Sequence, residues 1–229
     1  CPSCLGMEIV NNTDRVTRGD RELWDELLQV VIPKGRNIWA FADDDSEKLN
    51  EVGRSFEFFV LPENNEANVK KAMKDGNFFA ASKYYKTTDG VGDFDGDGNV
   101  PLVTGIKVDQ KANTITVATD PTRDCRVIEW IADGKVIATG NTIDLNDYEK
   151  DLGCYIRFQM KGSGGVTYSQ PFELQYKGRI DKPVPSWALW VFKTEAGQKF
   201  MKFYHSHSFA LGALIAEKIR ILIEDNIKK

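Results

Sequence analysis

The stretch Asn37-Ile38-Trp39-Ala40-Phe41-Ala42-Asp43-Asp44-Asp45-Ser46-Glu47 joins an apolar run to an acidic one without a break. Six residues rich in β-branched and aromatic side chains read as a buried strand, and the carboxylates that follow lie at its end, where they can face a shared site. Around this strand the pattern alternates. Gly6-Met7-Glu8-Ile9-Val10 is a short strand, followed by a helix from about Arg21 to Val31 with Asp20 as its cap. Phe56 to Leu61 is a further strand. Asn64 to Asp75 is a helix with Ala67, Val69, Ala72 and Met73 on its apolar side, Gly76 stops it, and Asn77 to Ser82 is a buried-type strand. Helices and strands in this order imply an α/β arrangement.

From Thr104 the rhythm changes to short alternating strands: Ile106 to Val108, Thr114 to Ala118, Val127 to Ala132, Lys135 to Ala138, Cys154 to Met160 and Val166 to Leu174. Asp133-Gly134 predicts a tight hairpin turn between two of them. So many strands with turn signals between them predict a small β-sandwich. Within it Asp151-Leu152-Gly153-Cys154-Tyr155 has the spacing of an immunoglobulin-type tyrosine corner, and Trp130 occupies the place of a core tryptophan. Arg157 stands where the second cysteine of an inter-sheet bridge would be, so that bridge is not expected. After Lys182-Pro183-Val184-Pro185 comes an aromatic tail with Trp187, Trp190, Phe192, Phe200, Phe203 and Tyr204. Ala213 to Asn226 is a helix candidate. Lys193, Lys199 and Lys202 among those aromatics suit either packing on the tail's own domain, the favoured reading, or a membrane surface.

Composition narrows the function classes. With 229 residues, 41% apolar and 28% charged, the chain can bury a core. A net charge of -4 with interspersed signs provides no basic field, so nucleic acid is not an expected partner. No secretory leader is visible. The longest apolar stretch, Phe209 to Ala216, ends at Glu217 and Lys218, well short of the roughly 20 residues of a membrane span. The compartment stays open, with the cytoplasm favoured. Of the four cysteines, Cys1 and Cys4 have the spacing of a zinc or redox half-site without a second half, and read as ordinary thiols. Whether Cys125 and Cys154 lie close together stays open.

Four segments in order, Gly6 to Asn12, Trp24-Asp25-Glu26-Leu27-Leu28, Phe41 to Glu47 and Ala72 to Ser82, resemble the end of the polymerase and histidinol phosphatase (PHP) family. The resemblance spans about residues 6 to 82. It implies a distorted (β/α) barrel with metal ions at its strand ends, hydrolysing phosphate esters. The expected fold class is therefore an α/β partial PHP-type (β/α) barrel over residues 1–88. An acidic Gly-rich linker (89–103), a small all-β immunoglobulin-like sandwich (104–178) and an aromatic and helical tail (179–229) follow.

The family draws its manganese, zinc or iron ligands from an early H-x-H, middle carboxylates and histidines, and a late D-x-H. Here the late motif reads Asp45-Ser46-Glu47: Asp45 matches, and Glu47 replaces the histidine. A glutamate can bind a hard cation but alters the charge and softness of the site. The only histidines, His205 and His207, lie at the opposite end of the chain and read as polar residues of the tail rather than as a permuted H-x-H. On this resemblance the early part of the barrel is expected to come from outside the given residues. The expected partners are therefore the missing barrel half or a second copy of the chain, with a phosphate ester as substrate once the site is complete. The alternative is a non-catalytic binding module that uses the sandwich. Separately, Asp93, Asp95 and Asp97 with Gly98 place oxygens at positions 1, 3 and 5 of an EF-hand-like pattern. That pattern lacks its glutamate, since position 12 is Thr104, so the segment reads as a calcium loop or as an acidic linker.

Overall fold

A computed structural model describes residues 4–175. The readings of Cys1, the aromatic tail, its helix, His205 and His207 lie outside those residues. In chain order the elements are β1 (Gly6–Asn11), α1 (Asp20–Val31), β2 (Trp39–Asp43), β3 (Ser55–Phe59), α2 (Glu66–Asp75) and β4 (Phe78–Ser82). There follow β5 (Tyr84–Tyr85), β6 (Phe94–Asp95), β7 (Val103–Asp109), β8 (Thr114–Thr119), β9 (Val127–Ala132) and β10 (Lys135–Thr139). β11 (Thr142–Asp144), β12 (Tyr155–Gly162), β13 (Gly165–Tyr168) and β14 (Phe172–Glu173) complete them. Among the described residues no helix is long and apolar enough to cross a membrane.

Local chemistry sets several boundaries. Asn65 caps α2 by accepting from the Asn68 N–H, and Gly76 ends the helix at φ 74°, a left-handed conformation that glycine adopts without penalty. Asp133 and Gly134 hold φ of 48° and 74°, the pair of positive values a two-residue hairpin needs between β9 and β10. Asp20, expected as a cap, is instead the first helical residue of α1. Gly19 occupies the cap position without a side-chain bond, and the acidic group in the first turn still suits the helix dipole.

Only β1 and β2 pair in parallel among the described residues. β3 runs antiparallel to β4, β4 antiparallel to β13, and the sheet continues through β12 and β9 to β10. Strands from both sides of residues 89–103 therefore share one sheet. The (β/α) rhythm does not become a run of parallel strands, and the cause lies at the outer edge of β2. The Gln170 carboxamide accepts from Ala40 N and donates to Ala40 O, both at 2.9 Å, and Glu57 Oε1 accepts from Ala42 N at 2.9 Å. Side chains thus occupy backbone groups that a further strand would need.

The long sheet is covered on both faces. On one, Ile9, Val10, Trp24, Leu28, Ala40 and Ala42 meet Ala80, Tyr155, Val166 and Tyr168. On the other, the β11-β8-β7 sheet contributes Ile115, Val117 and Ile143 against Ile128, Trp130, Ile156, Phe158 and Met160. Alternate residues of β12 serve the two cores, as the two-residue period of a strand requires. Tyr155 does not close its own corner. Its hydroxyl donates to Asp25 Oδ1 at 2.7 Å and accepts from Gly134 N at 3.2 Å, because a buried carboxylate is the stronger acceptor. Cys125 packs against one core and Cys154 against the other, and no disulfide joins them.

Candidate functional site

Parallel pairing brings the C-terminal ends of β1 and β2 out side by side, with Asn11 opposite Asp43. The Asn12 N–H donates to Asp43 O at 2.8 Å and prolongs the contact. The Asn11 carboxamide then links two acidic groups: its Nδ2 donates to Glu8 Oε1 at 3.0 Å and to Asp45 Oδ2 at 3.3 Å. Asp44 points the other way and organises the following loop, accepting from the N–H groups of Gly53, Arg54 and Ser55 at 2.7, 2.6 and 2.8 Å. Arg54 closes the rim through Nη1 to Asn12 Oδ1 at 2.5 Å.

The result is a shallow acidic patch of Glu8, Asp43 and Asp45 around Asn11, with Glu57 behind it. Burial raises the Glu8 carboxyl above its ordinary value. Asp43 and Asp45 repel its charge and Asn11 partly offsets both effects. Burial likewise raises Asp43, with Asp44 and Asp45 adding repulsion. Glu57 is pushed furthest, to about 7: burial dominates, the Ala42 N–H pulls the other way, and Asp43 and Asp44 add repulsion. Such a patch favours a proton or a cation.

It does not by itself hold a metal ion. Among the described residues no three His, Cys, Asp or Glu side chains stand in ligating positions. Asp45 faces Asn11, and Glu47 lies exposed on the loop, where its N–H donates to Glu51 Oε2. The backbone turns through a positive φ of 46° at Asp45, between the strand end and Glu47.

The other acidic motif disperses as well. Asp93 accepts from Thr87 N and Oγ1, Asp95 pairs with Lys86 Nζ at 2.5 Å, and Asp97 accepts from Asn99 N. Pairing of β5 with β6 commits Phe94 and Asp95 to a strand, so the segment does not wrap around an ion. Sequence reasoning passed over Glu8, Asn11 and Glu57. Their signal was a polar residue isolated in an apolar strand, plainest at Glu57 between Phe56 and Phe58.

Glu57 gives a pH prediction. Its folded-state value of about 7 lies above the ordinary 4.5, so the folded chain binds the proton more tightly and stability falls as pH rises between those values. Glu57→Gln keeps an acceptor for Ala42 N without the buried charge. The variant is expected to be more stable than the parent by about 1–2 kcal/mol at pH 8, after allowance for solvent screening, and nearly equal to it at pH 4. Urea midpoints measured from pH 4 to 8 check this; parallel profiles would refute it.

Comparison of the chain with protein-family models, with curated proteins and with solved structures finds no match to any of them.

Proposed function

We propose that this chain is the C-terminal portion of a PHP-type metal-dependent phosphoesterase, supplying the carboxylate wall of a site whose remaining ligands come from outside the chain. The observation that carries the reading is the gathering of Glu8, Asn11, Asp43 and Asp45 at the C-terminal ends of a parallel strand pair. Parallel α/β arrangements place their ligand sites at these ends. Burial, with smaller repulsion from neighbouring carboxylates, raises the Glu8, Asp43 and Glu57 carboxyls, which suits a wall that takes up positive charge. The reading takes residues 104–178 as an immunoglobulin-like sandwich. The order β11-β8-β7 facing β10-β9-β12-β13, with Trp130 buried between, supports it.

The test is complementation. The chain is mixed with the N-terminal half of a PHP-type barrel carrying the early H-x-H, then supplied with Mn²⁺ or Zn²⁺ and p-nitrophenyl phosphate. Turnover that requires both polypeptides and the metal is expected; a stable complex that loads metal but does not hydrolyse the ester overturns the reading.

A second reading is a binding module in which the α/β part is scaffold and the sandwich contacts a protein or carbohydrate. It is favoured by the lack, among the described residues, of any three His, Cys, Asp or Glu side chains placed to hold a metal ion. A chain that stays metal-free by elemental analysis in that mixture, with a ligand mapped to the β7–β13 surface, supports it over the first.

A further inference from the structure

Strand β7 lies at the edge of its sheet and is bare on both faces. The order is β11-β8-β7, so among the described residues β7 has a strand partner on one side only. Thr104, Gly105, Ile106, Lys107 and Val108 are all exposed. Ile106 and Val108 stand opposite Val117 and Ile115 of β8 and share the inward face with them. Yet Val117 and Ile115 are 2% exposed, whereas Ile106 is 37% and Val108 51% exposed. The inward face of β7 thus carries two β-branched side chains beyond the reach of the second core, and neither joins it.

The backbone at this edge is open in a matching way. The Val117 N–H donates to Asn141 O and the Leu145 N–H to Asn113 O, so residues 113, 115 and 117 of β8 face β11. Alternation turns Thr114 and Thr116 toward β7, where Asp109 and Lys107 lie opposite them. The N–H and C=O groups of Ile106 and Val108 consequently point away from β8, to the open edge. A bulge between Val103 and Gly105 disrupts the start of the strand and confines regular pairing to the part after it.

We infer that the β7 edge pairs with the same edge of a second copy of this chain, antiparallel about a two-fold axis at Val108. Two copies that meet by their outward-pointing groups can share only registers that set Ile106 and Val108 opposite even-numbered residues, and charge chooses among these. An axis at Lys107 puts two ammonium groups directly opposite each other, which is unfavourable. An axis at Ile106 sets Lys107 against Gly105 and runs the pairing into the bulge. An axis at Val108 sets Lys107 of each copy against Asp109 of the other, at a non-hydrogen-bonded pair, where side chains approach most closely. Asp109 holds its own turn through Oδ1, accepting from Lys111 N and Ala112 N at 3.0 Å, which leaves Oδ2 for the lysine. Val108 then exchanges both backbone bonds with its counterpart, and their side chains cover each other on the inward face. Nothing in this pairing depends on the phosphoesterase reading.

Sedimentation equilibrium of the full chain across a range of concentrations is expected to show a reversible monomer–dimer equilibrium. Val108→Pro removes an outward N–H that β8 does not use, and is expected to weaken the dimer at least tenfold with an unchanged circular dichroism spectrum. Lys107→Glu, which sets a second carboxylate against Asp109, is expected to weaken it about tenfold, by an amount that shrinks in high salt. Asp109→Asn keeps the turn acceptor and is expected to weaken it severalfold, and Lys135→Glu on β10 to leave it unchanged. With Cys1→Ser and Cys4→Ser in place, Val108→Cys is expected to link the folded dimer by a disulfide, since facing Cα atoms of such a pair lie about 5.5 Å apart. Ile106→Cys, which faces Gln110 in this register, is not. A chain that stays monomeric at every concentration overturns the inference. So does a dimer indifferent to Val108→Pro and Lys107→Glu, or one that Ile106→Cys links and Val108→Cys does not.

Discussion

Alanine in place of Asp25 is expected to destabilise the fold by about 3–5 kcal/mol, the usual cost of leaving one partner of a buried ion pair alone. Its carboxylate accepts from Arg157 Nε at 2.7 Å, from Arg157 Nη2 at 2.6 Å and from the Tyr155 hydroxyl at 2.7 Å. Both side chains of the pair are less than 5% exposed, and the guanidinium also lies 5.0 Å from the Trp24 ring centre. Arg157 Nη1 has no hydrogen-bond partner, so nothing nearby could take over the charge if Asp25 were removed. Against a total stability of about 5–15 kcal/mol, such a loss brings the chain near unfolding. Tyr155→Phe, which removes one of the three bonds to Asp25 and the acceptor of the Gly134 N–H, should cost about 1–2 kcal/mol. Replacing both charges, as Asp25→Leu with Arg157→Met, should recover most of the loss, because it removes the stranded charge and not only its partner. Urea unfolding of the four proteins gives the comparison. An Asp25→Ala variant within 1 kcal/mol of the parent would mean that α1 and β12 are not joined as described.

The same contact shows where sequence reading stops. The C-terminal end of α2 was legible because Gly76 acts on its immediate neighbours, and the Asp133-Gly134 turn for the same reason; the expected start lies at Asn64, whereas Asn65 caps the helix and Glu66 begins it. Arg157 was legible only as a departure from a disulfide pattern. Its partner lies 132 residues away on a helix whose spacing says only which face is inward. Strand pairing met the same limit. The apolar runs of β3 and β4 suit a parallel or an antiparallel neighbour equally, and what decides is the capping of β2 by Glu57 and Gln170, two side chains remote from it in sequence. In the site, Asp43 and Asp45 could be expected at a strand end. Where Glu47 would point was not legible, because i and i+2 share a face only while the backbone stays extended, and it turns at Asp45.

Trp130→Ala carries the other large effect. The indole is fully buried, meets the Phe158 ring edge-on at a centroid distance of 5.3 Å and donates from Nε1 to Gly140 O at 2.9 Å. Truncation removes most of a large apolar side chain and leaves that carbonyl unpaired, which together should cost about 3–5 kcal/mol. Trp130→Phe retains part of the packing but not the bond and should cost less. Val136→Ala, at an exposed position on neighbouring β10, should cost almost nothing. The shape of the transition is as informative as its midpoint. Trp130 sits on β9, which pairs with β12, and the sheet runs on through β13 and β4 to β3. Damage in the second core should therefore reach β4 and β3 through hydrogen bonds they share with it. Fluorescence and hydrogen exchange, the one following the aromatic rings and the other the β3 and β4 amides, are expected to report one cooperative loss at the lowered midpoint. Amides of β3 and β4 that stay protected after the β9 and β12 amides have exchanged would show two units where the shared sheet predicts one.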